Sequence, residues 1–526
     1  AAGDGANANT ISSVAIGTAA VVNKDRGIAI GENANVTSNA TNGTAVGVSA
    51  VANGTNSTAI GHLARGGYTD SLALGTNANA SNLQTISIGK NTVNGAISGT
   101  AIGAGASIGG WADNAIAIGT GATVDGASGS AKGNNAIAMG FNAATTGENT
   151  IAMGMTAKAN KESSIAIGRE SNTAGNYGLA IGRNANASTT EENAIALGRN
   201  TVAGRDSAIA VGLGAQATGQ FSQAVGRYAK SSGNSALAMG VSANATGSNS
   251  MALGDGSTTA NSFTIAIGST AKATEYDATA IGHGANASAN WSTAIGNGAA
   301  ARENNSFAAG SAAIARGVEA TAVGKSAQAA GNRSVALGSE AQALNTTAIA
   351  IGSSANAKDA GNIAIGSGSK AENSAATATG DSAQALGWKS SAFGTGAKAL
   401  GHGSVAIGLN AEAGNQSNKD TGAAWAIAIG GKALNTNTIA IGNGANASNG
   451  GAVAIGPNTN ASGGSSLAMG QSACATNTNS LALGSNAKAQ GIGTVALGVG
   501  AVTSTDTGAM ALGGNASGIY SVAVVS

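Results

Sequence analysis

One cysteine, one proline and three histidines are spread over 526 residues. Aromatic side chains make up 3% and charged ones 9%, against about 25% charged in an average domain. A lone thiol excludes a disulfide scaffold. The near-absence of proline excludes collagen, which also needs glycine at every third position. So little charge, beside 42% hydrophobic residues, excludes a solvated disordered tail. The formal net charge of +1 gives no basic excess, so nucleic acid is not an expected partner. No apolar run approaches the roughly 18 residues of a membrane helix, and no secretory leader pattern is visible. Leucine and phenylalanine are too few to fill several thick cores.

Glycine is abundant, at 84 positions, and much of it is periodic. Motifs such as Ser163–Gly168 (SSIAIG) and Ser235–Gly240 (SALAMG) end in a glycine that recurs from Gly3 to Gly513. There are 36 such glycines, and 28 of the 35 intervals are 14 residues long. The period never slips between Gly198 and Gly408. Intervals of 16 end at Gly47, Gly119 and Gly198, and one of 12 ends at Gly442. Longer insertions lie near 120–135 and 410–425. No linker interrupts the array, so residues 1–526 read as one continuous solenoid domain. Ala1-Ala2-Gly3 matches the tail of a motif and Val525 stands where a glycine is due, so both ends look truncated.

Fourteen residues are too few for a strand plus a helix. In the unit from Ser235 to Gly247, apolar residues alternate before Gly240 and alanines alternate after it. Period two marks strands, and Gly240 and Gly247 mark turns. One repeat is therefore two short strands and two turns. Stacked in parallel at about 4.8 Å per step, the repeats predict an all-β parallel solenoid on the order of 170 Å long.

The two faces of the longer strand differ. Residues one and three before the glycine are large, as in Ile116 and Ile118, Ile165 and Ile167, Ile349 and Ile351. Residues two and four before it are small. A coil this narrow holds alanine and is overpacked by facing isoleucines, which predicts alanine inside and isoleucine outside. The residue before the glycine is Ile, Val, Leu, Met or Phe in 33 of 36 repeats. A stripe that long exceeds what a soluble monomer leaves exposed, and predicts parallel chains associated about a common axis. The competing arrangement is a monomeric β-helix with the stripe inward.

The unit [Ser/Ala]-[Ile/Val]-Ala-Ile-Gly-x-x-Ala-x-Ala, repeated in phase over essentially the whole chain, resembles the head repeat of trimeric autotransporter adhesins of the Yersinia adhesin A type. The resemblance implies a left-handed parallel β-roll, a homotrimer, and exposure at the surface of a Gram-negative outer membrane. Anchoring would then pass through a stalk and C-terminal barrel that this sequence does not contain.

Candidate sites are few. His62, His283 and His402 are far apart and read as solvated, so no metal site or catalytic triad forms from them. No cofactor-binding pattern occurs; the glycine-rich segments lack the Lys-Ser/Thr of a phosphate loop. Cys474 points outward by alternation. Arg169, Arg183, Arg199 and Arg227 each follow a motif glycine, and Arg169 should stack on Arg183. Lys158, Lys161, Arg205 and Lys230 add positive charge nearby, diluted by Glu162, Glu170, Glu191, Glu192 and Asp206. Such a ladder suits a sulfated glycan or an acidic receptor face; as a solvated face, its stems would simply cover alanine-rich sheet. Trp111 and Trp425, in or beside the insertions, are candidate binding anchors, while Trp291 and Trp388 read as packing over neighbouring turns.

The reading that results is not an enzyme but a surface adhesin head. Through multivalent contacts it would attach to extracellular-matrix proteins, host receptors or other bacteria. A structural spacer that carries another adhesive domain is the main competitor. A polysaccharide-processing β-helix would need clustered carboxylates, and a lattice-binding solenoid would need ranked threonines; neither pattern is present.

Overall fold

The computed structural model describes residues 1–125, 133–187, 192–415 and 425–525. Among these the regular elements are strands alone, three-residue strands alternating with two-residue strands. The chain forms two compact units, Ala1–Thr264 and Ile265–Ser526, and the same coil repeats inside each. It is an all-β parallel solenoid of about 36 turns.

A coil from each unit shows the construction. In the first, the strand Leu237–Met239 leads through Gly240–Ala243 into the strand Asn244–Ala245. The next coil stacks on it in parallel, with Leu237 beside Met251, Ala238 beside Ala252 and Met239 beside Leu253. In the second unit, Val335, Ala336 and Leu337 pair with Ile349, Ala350 and Ile351, and Gln342 pairs with Asn356. Long strands thus stack only on long strands, and short only on short, making two parallel sheets in each unit.

The interior between the sheets is lined by alanine. Ala166, Ala238, Ala245, Ala336 and Ala350 have no exposed surface. The flanking large residues point away from it, as expected; the arrangement with isoleucine inside is not adopted. Beside some of the larger interior residues a facing position is glycine. A Cβ on Gly27 would lie 2.6 Å from Val22 Cγ1 and 2.9 Å from Val36 Cγ1. One on Gly133 would lie 2.9 Å from Val124 Cγ1. At these positions glycine makes room that an alanine would deny the valine.

Serine and threonine share the interior with alanine because a turn carbonyl lies within reach. Ser164 Oγ donates to the Lys161 carbonyl at 2.7 Å and Ser71 Oγ to that of Tyr68 at 2.6 Å. These two buried hydroxyls are thereby satisfied, while those of Thr145 and Ser334 are buried with no partner. Asn362, wholly buried, donates from Nδ2 to the Ala371 carbonyl at 2.8 Å and accepts from the Ala376 amide at 3.0 Å.

The motif glycine has a packing reason. Gly240 sits at φ 134°, and a Cβ there would lie 2.5 Å from the Gly254 carbonyl oxygen. Its own amide donates to the Val225 carbonyl of the preceding coil at 2.9 Å. Stacked turns approach too closely for any side chain, in a backbone region that L-residues avoid.

Irregular repeats leave strand register intact. Ile28 pairs with Thr44 across 16 residues, Ile116 with Ile137 across 21, and Val405 with Ile427 across 22. The extra residues fall in the second turn, between the short strand and the next long one, as between Asn35–Val36 and Thr44–Val46. Shortening falls in the first turn instead. Only Gly430 and Gly431 separate Ile427–Ile429 from Lys432–Ala433, which accounts for the 12-residue interval.

Candidate binding surfaces

Each coil presents two outer faces of opposite character. On the long-strand face, Ile116, Ile118, Ile165, Ile167, Ile349 and Ile351 flank the buried Ala117, Ala166 and Ala350 and are themselves half-buried. Their neighbours in register are the equivalents in the coils above and below. Some members stand out further, Met239 being 46% and Ile16 45% exposed. Within each unit this is an apolar ladder that none of the described residues covers.

The short-strand face is polar. Its outward position holds Asn172 and Asn186, Asn446 and Asn460, with lysine at Lys272, Lys370, Lys398 and Lys488. Stacked amides bond from coil to coil. Asn172 Nδ2 donates to Asn186 Oδ1 at 3.2 Å and Asn446 Nδ2 to Asn460 Oδ1 at 3.1 Å. Cys474 continues that second column, half-buried, with Asn460 Nδ2 3.8 Å from its Sγ.

Arg169, Arg183 and Arg199 occupy three consecutive coils at one edge. Backbone bonds set the spacing: the Asn184 amide donates to the Arg169 carbonyl at 2.9 Å, and the Asn200 amide to that of Arg183 at 2.8 Å. Leu213 takes the next position, so Arg227 is separated from the three by one coil. All four side chains are exposed. Arg169 pairs with Glu170 at 3.0 Å, and Arg227 lies over the Tyr228 ring, 5.7 Å from its centroid. Both of these arginines therefore have a local partner that the spacing alone does not reveal. Lys158, Lys161 and Lys230 are exposed in the neighbouring coils; Glu191 lies outside the described residues.

The tryptophans behave differently from one another. Trp111 stands 60% exposed at a second turn. Trp291 meets Tyr276 edge to face, centroids 6.2 Å apart. Trp388 stacks on His402 at 4.6 Å, and His402 meets Trp425 edge to face at 5.4 Å. Lys389 Nζ lies over the Trp388 ring, 4.1 Å from its centroid. His402 is half-buried between the two indoles and its Nδ1 is fully covered, which corrects the expectation of a solvated imidazole. Trp425, 54% exposed, lies flat over Gly403, where a Cβ would come within 2.8 Å of the ring. Residues 14 and 23 apart in sequence thus form one aromatic stack, a grouping no local motif announces. The centres of both long insertions, 126–132 and 416–424, lie outside the described residues.

Among the described residues, no group of three or more His, Cys, Asp or Glu side chains is placed to hold a metal ion. Nor, among the described residues, is any helix long and apolar enough to cross a membrane.

A family model described as the YadA head domain repeat (2 copies) matches fifteen segments of the chain. They run from residues 11–34 through 159–185 and 273–299 to 489–516, and together span well over half of it. No curated protein matches the chain.

Proposed function

This chain belongs to the YadA head domain repeat family, an adhesin-type head, and from that premise we propose how its two faces divide the work. The apolar ladder joins three parallel copies into a homotrimer. The polar face, with the arginine edge on one side of it and the tryptophan-bearing turns on the other, is turned outward to ligand. The ligands are extracellular-matrix proteins, host receptors or partner molecules on other bacteria, and the head stands on the outer surface of a Gram-negative cell. Heads of this family and solenoid type are typically non-enzymatic.

One observation supports this reading above the rest: the apolar ladder is outward and uncovered within each unit, while the opposite face carries stacked amides and lysines. An exposed ladder of this length drives association. Parallel copies also present each outward residue three times over, which raises avidity without one strong site.

The test is direct. Sedimentation equilibrium of the purified chain should give three times the 49.4 kDa chain mass; a monomer would sink the assembly. Saturable binding to one member of a panel of matrix proteins, host receptors and bacterial cells would support the adhesive role. A folded trimer that binds nothing on the panel would instead make this segment a spacer.

A further inference from the structure

We propose that a hollow on the polar face of the first unit, centred on Arg65 and Gly67, binds an anionic saccharide residue. This rests on the reading that the apolar face, and not this one, is covered by partner chains. Four coils build the hollow, of about 530 Å³. Its floor is the short-strand column in which Val51, Arg65 and Asn79 are neighbours in register. Two residues further along each strand, the same coils present Asn53, Gly67 and Ser81. At Gly67 the coils stack closely, a Cβ there lying 3.0 Å from the Ala80 carbonyl oxygen, and the hollow opens over this column between the Arg65, Asn53, Asn79 and Tyr68 positions.

Its walls are held in place. Asn53 Nδ2 donates to the Gly67 carbonyl at 3.1 Å, and Asn53 Oδ1 accepts from Thr37 Oγ1 at 2.8 Å. Tyr68 stands at the rim, about half exposed. Arg65 is the single charged residue in the lining.

These groups match one ligand chemistry. Amides and hydroxyls at fixed spacing suit sugar hydroxyls. A phenol ring at the rim supplies an apolar surface for a pyranose. A guanidinium with no carboxylate in the lining recognises a carboxylate or sulfate through paired donors. The shared chemistry is therefore an acidic sugar, carboxylated or sulfated. Neutral glycans lack the group that Arg65 would engage.

The probes are sialylated, uronate-containing and sulfated oligosaccharides, with neutral counterparts, titrated against the whole chain. Anionic members should bind and neutral ones should not; the arm that binds identifies carboxylate or sulfate. Arg65→Gln should weaken that binding at least tenfold, and Tyr68→Ala should weaken it several-fold, with sedimenting mass and melting temperature unaltered by Arg65→Gln. Binding of no anionic probe, or equal binding by Arg65→Gln, overturns the proposal. Failure of the broader reading looks different. A head that binds anionic saccharides as a monomer keeps the hollow and loses the trimer, whereas one that still binds a matrix protein after Arg65→Gln keeps adhesion and places it elsewhere.

Discussion

The two turns of each coil carry very different constraints. The first, opening on the motif glycine, stacks backbone on backbone, and a Cβ on Gly240 would meet a carbonyl at 2.5 Å. It is lengthened in none of the irregular repeats described above, and it shortens only where a pair such as Gly430–Gly431 replaces four residues. The second turn takes up every insertion noted above, with the strands on either side keeping register. It also hosts residues that vary freely in kind, including Trp111, Trp291, Trp388 and His402. One edge of the coil is fixed in length and the other tolerates change, so insertions and aromatic groupings collect at the second edge, while the first offers single exposed positions such as Arg169, Arg183 and Arg199.

Breaking the first turn should have the largest effect. Gly240→Val places a branched side chain against the Gly254 carbonyl at φ 134°. A loss of roughly 3 kcal/mol or more is expected, visible as a lowered thermal midpoint or failure to fold. Tolerance of that variant would remove the distinction between the turns. A two-residue insertion makes the comparison sharper. Placed between Gly240 and Ala243 it should disrupt stacking as severely as the valine. Placed after Ser248, in the second turn, it should cost under about 1 kcal/mol, since loop closure depends weakly on length; circular dichroism melts compare the two.

The next effect concerns assembly. Ile349→Asp with Ile351→Asp alters side chains that are already half outside the coil. Parallel strand content should persist while sedimentation shifts toward the monomer. Coils that unfold outright would mean that the ladder holds each chain together by itself.

Smaller still are the contacts at the second edge. Ser71→Ala removes the hydrogen bond to the Tyr68 carbonyl, and about 1 kcal/mol should be lost. Trp388→Ala removes one stacked ring from His402, again at about 1 kcal/mol. In that variant the fluorescence of Trp425 should change while far-ultraviolet dichroism does not. An unchanged Trp425 signal would mean the aromatic stack is not formed in solution.

Much of this architecture was legible from spacing. Alternation around Gly240 identifies both strands, and the size difference between Ala350 and Ile351 orients them, because a coil of 14 residues has room inside only for small groups. The registers of Arg169, Arg183 and Arg199 follow from the same count. Less legible was what a side chain meets once coils are stacked. His402 was expected in solvent and instead lies between Trp388 and Trp425. The hollow around Arg65 is invisible in its own repeat; it appears only where Asn53, Asn79 and Tyr68 are brought beside it.

From the sequence alone come the period, the two strands, the glycine turns and the inward alanines, since each depends on geometry within a single repeat. The tertiary structure alone decides which turn absorbs an insertion, which valine is matched by a facing glycine, and which columns of side chains enclose a hollow or an aromatic stack. Those outcomes depend on contacts between coils about 4.8 Å apart, and a neighbour at that distance may be 12, 14 or 22 residues away along the chain.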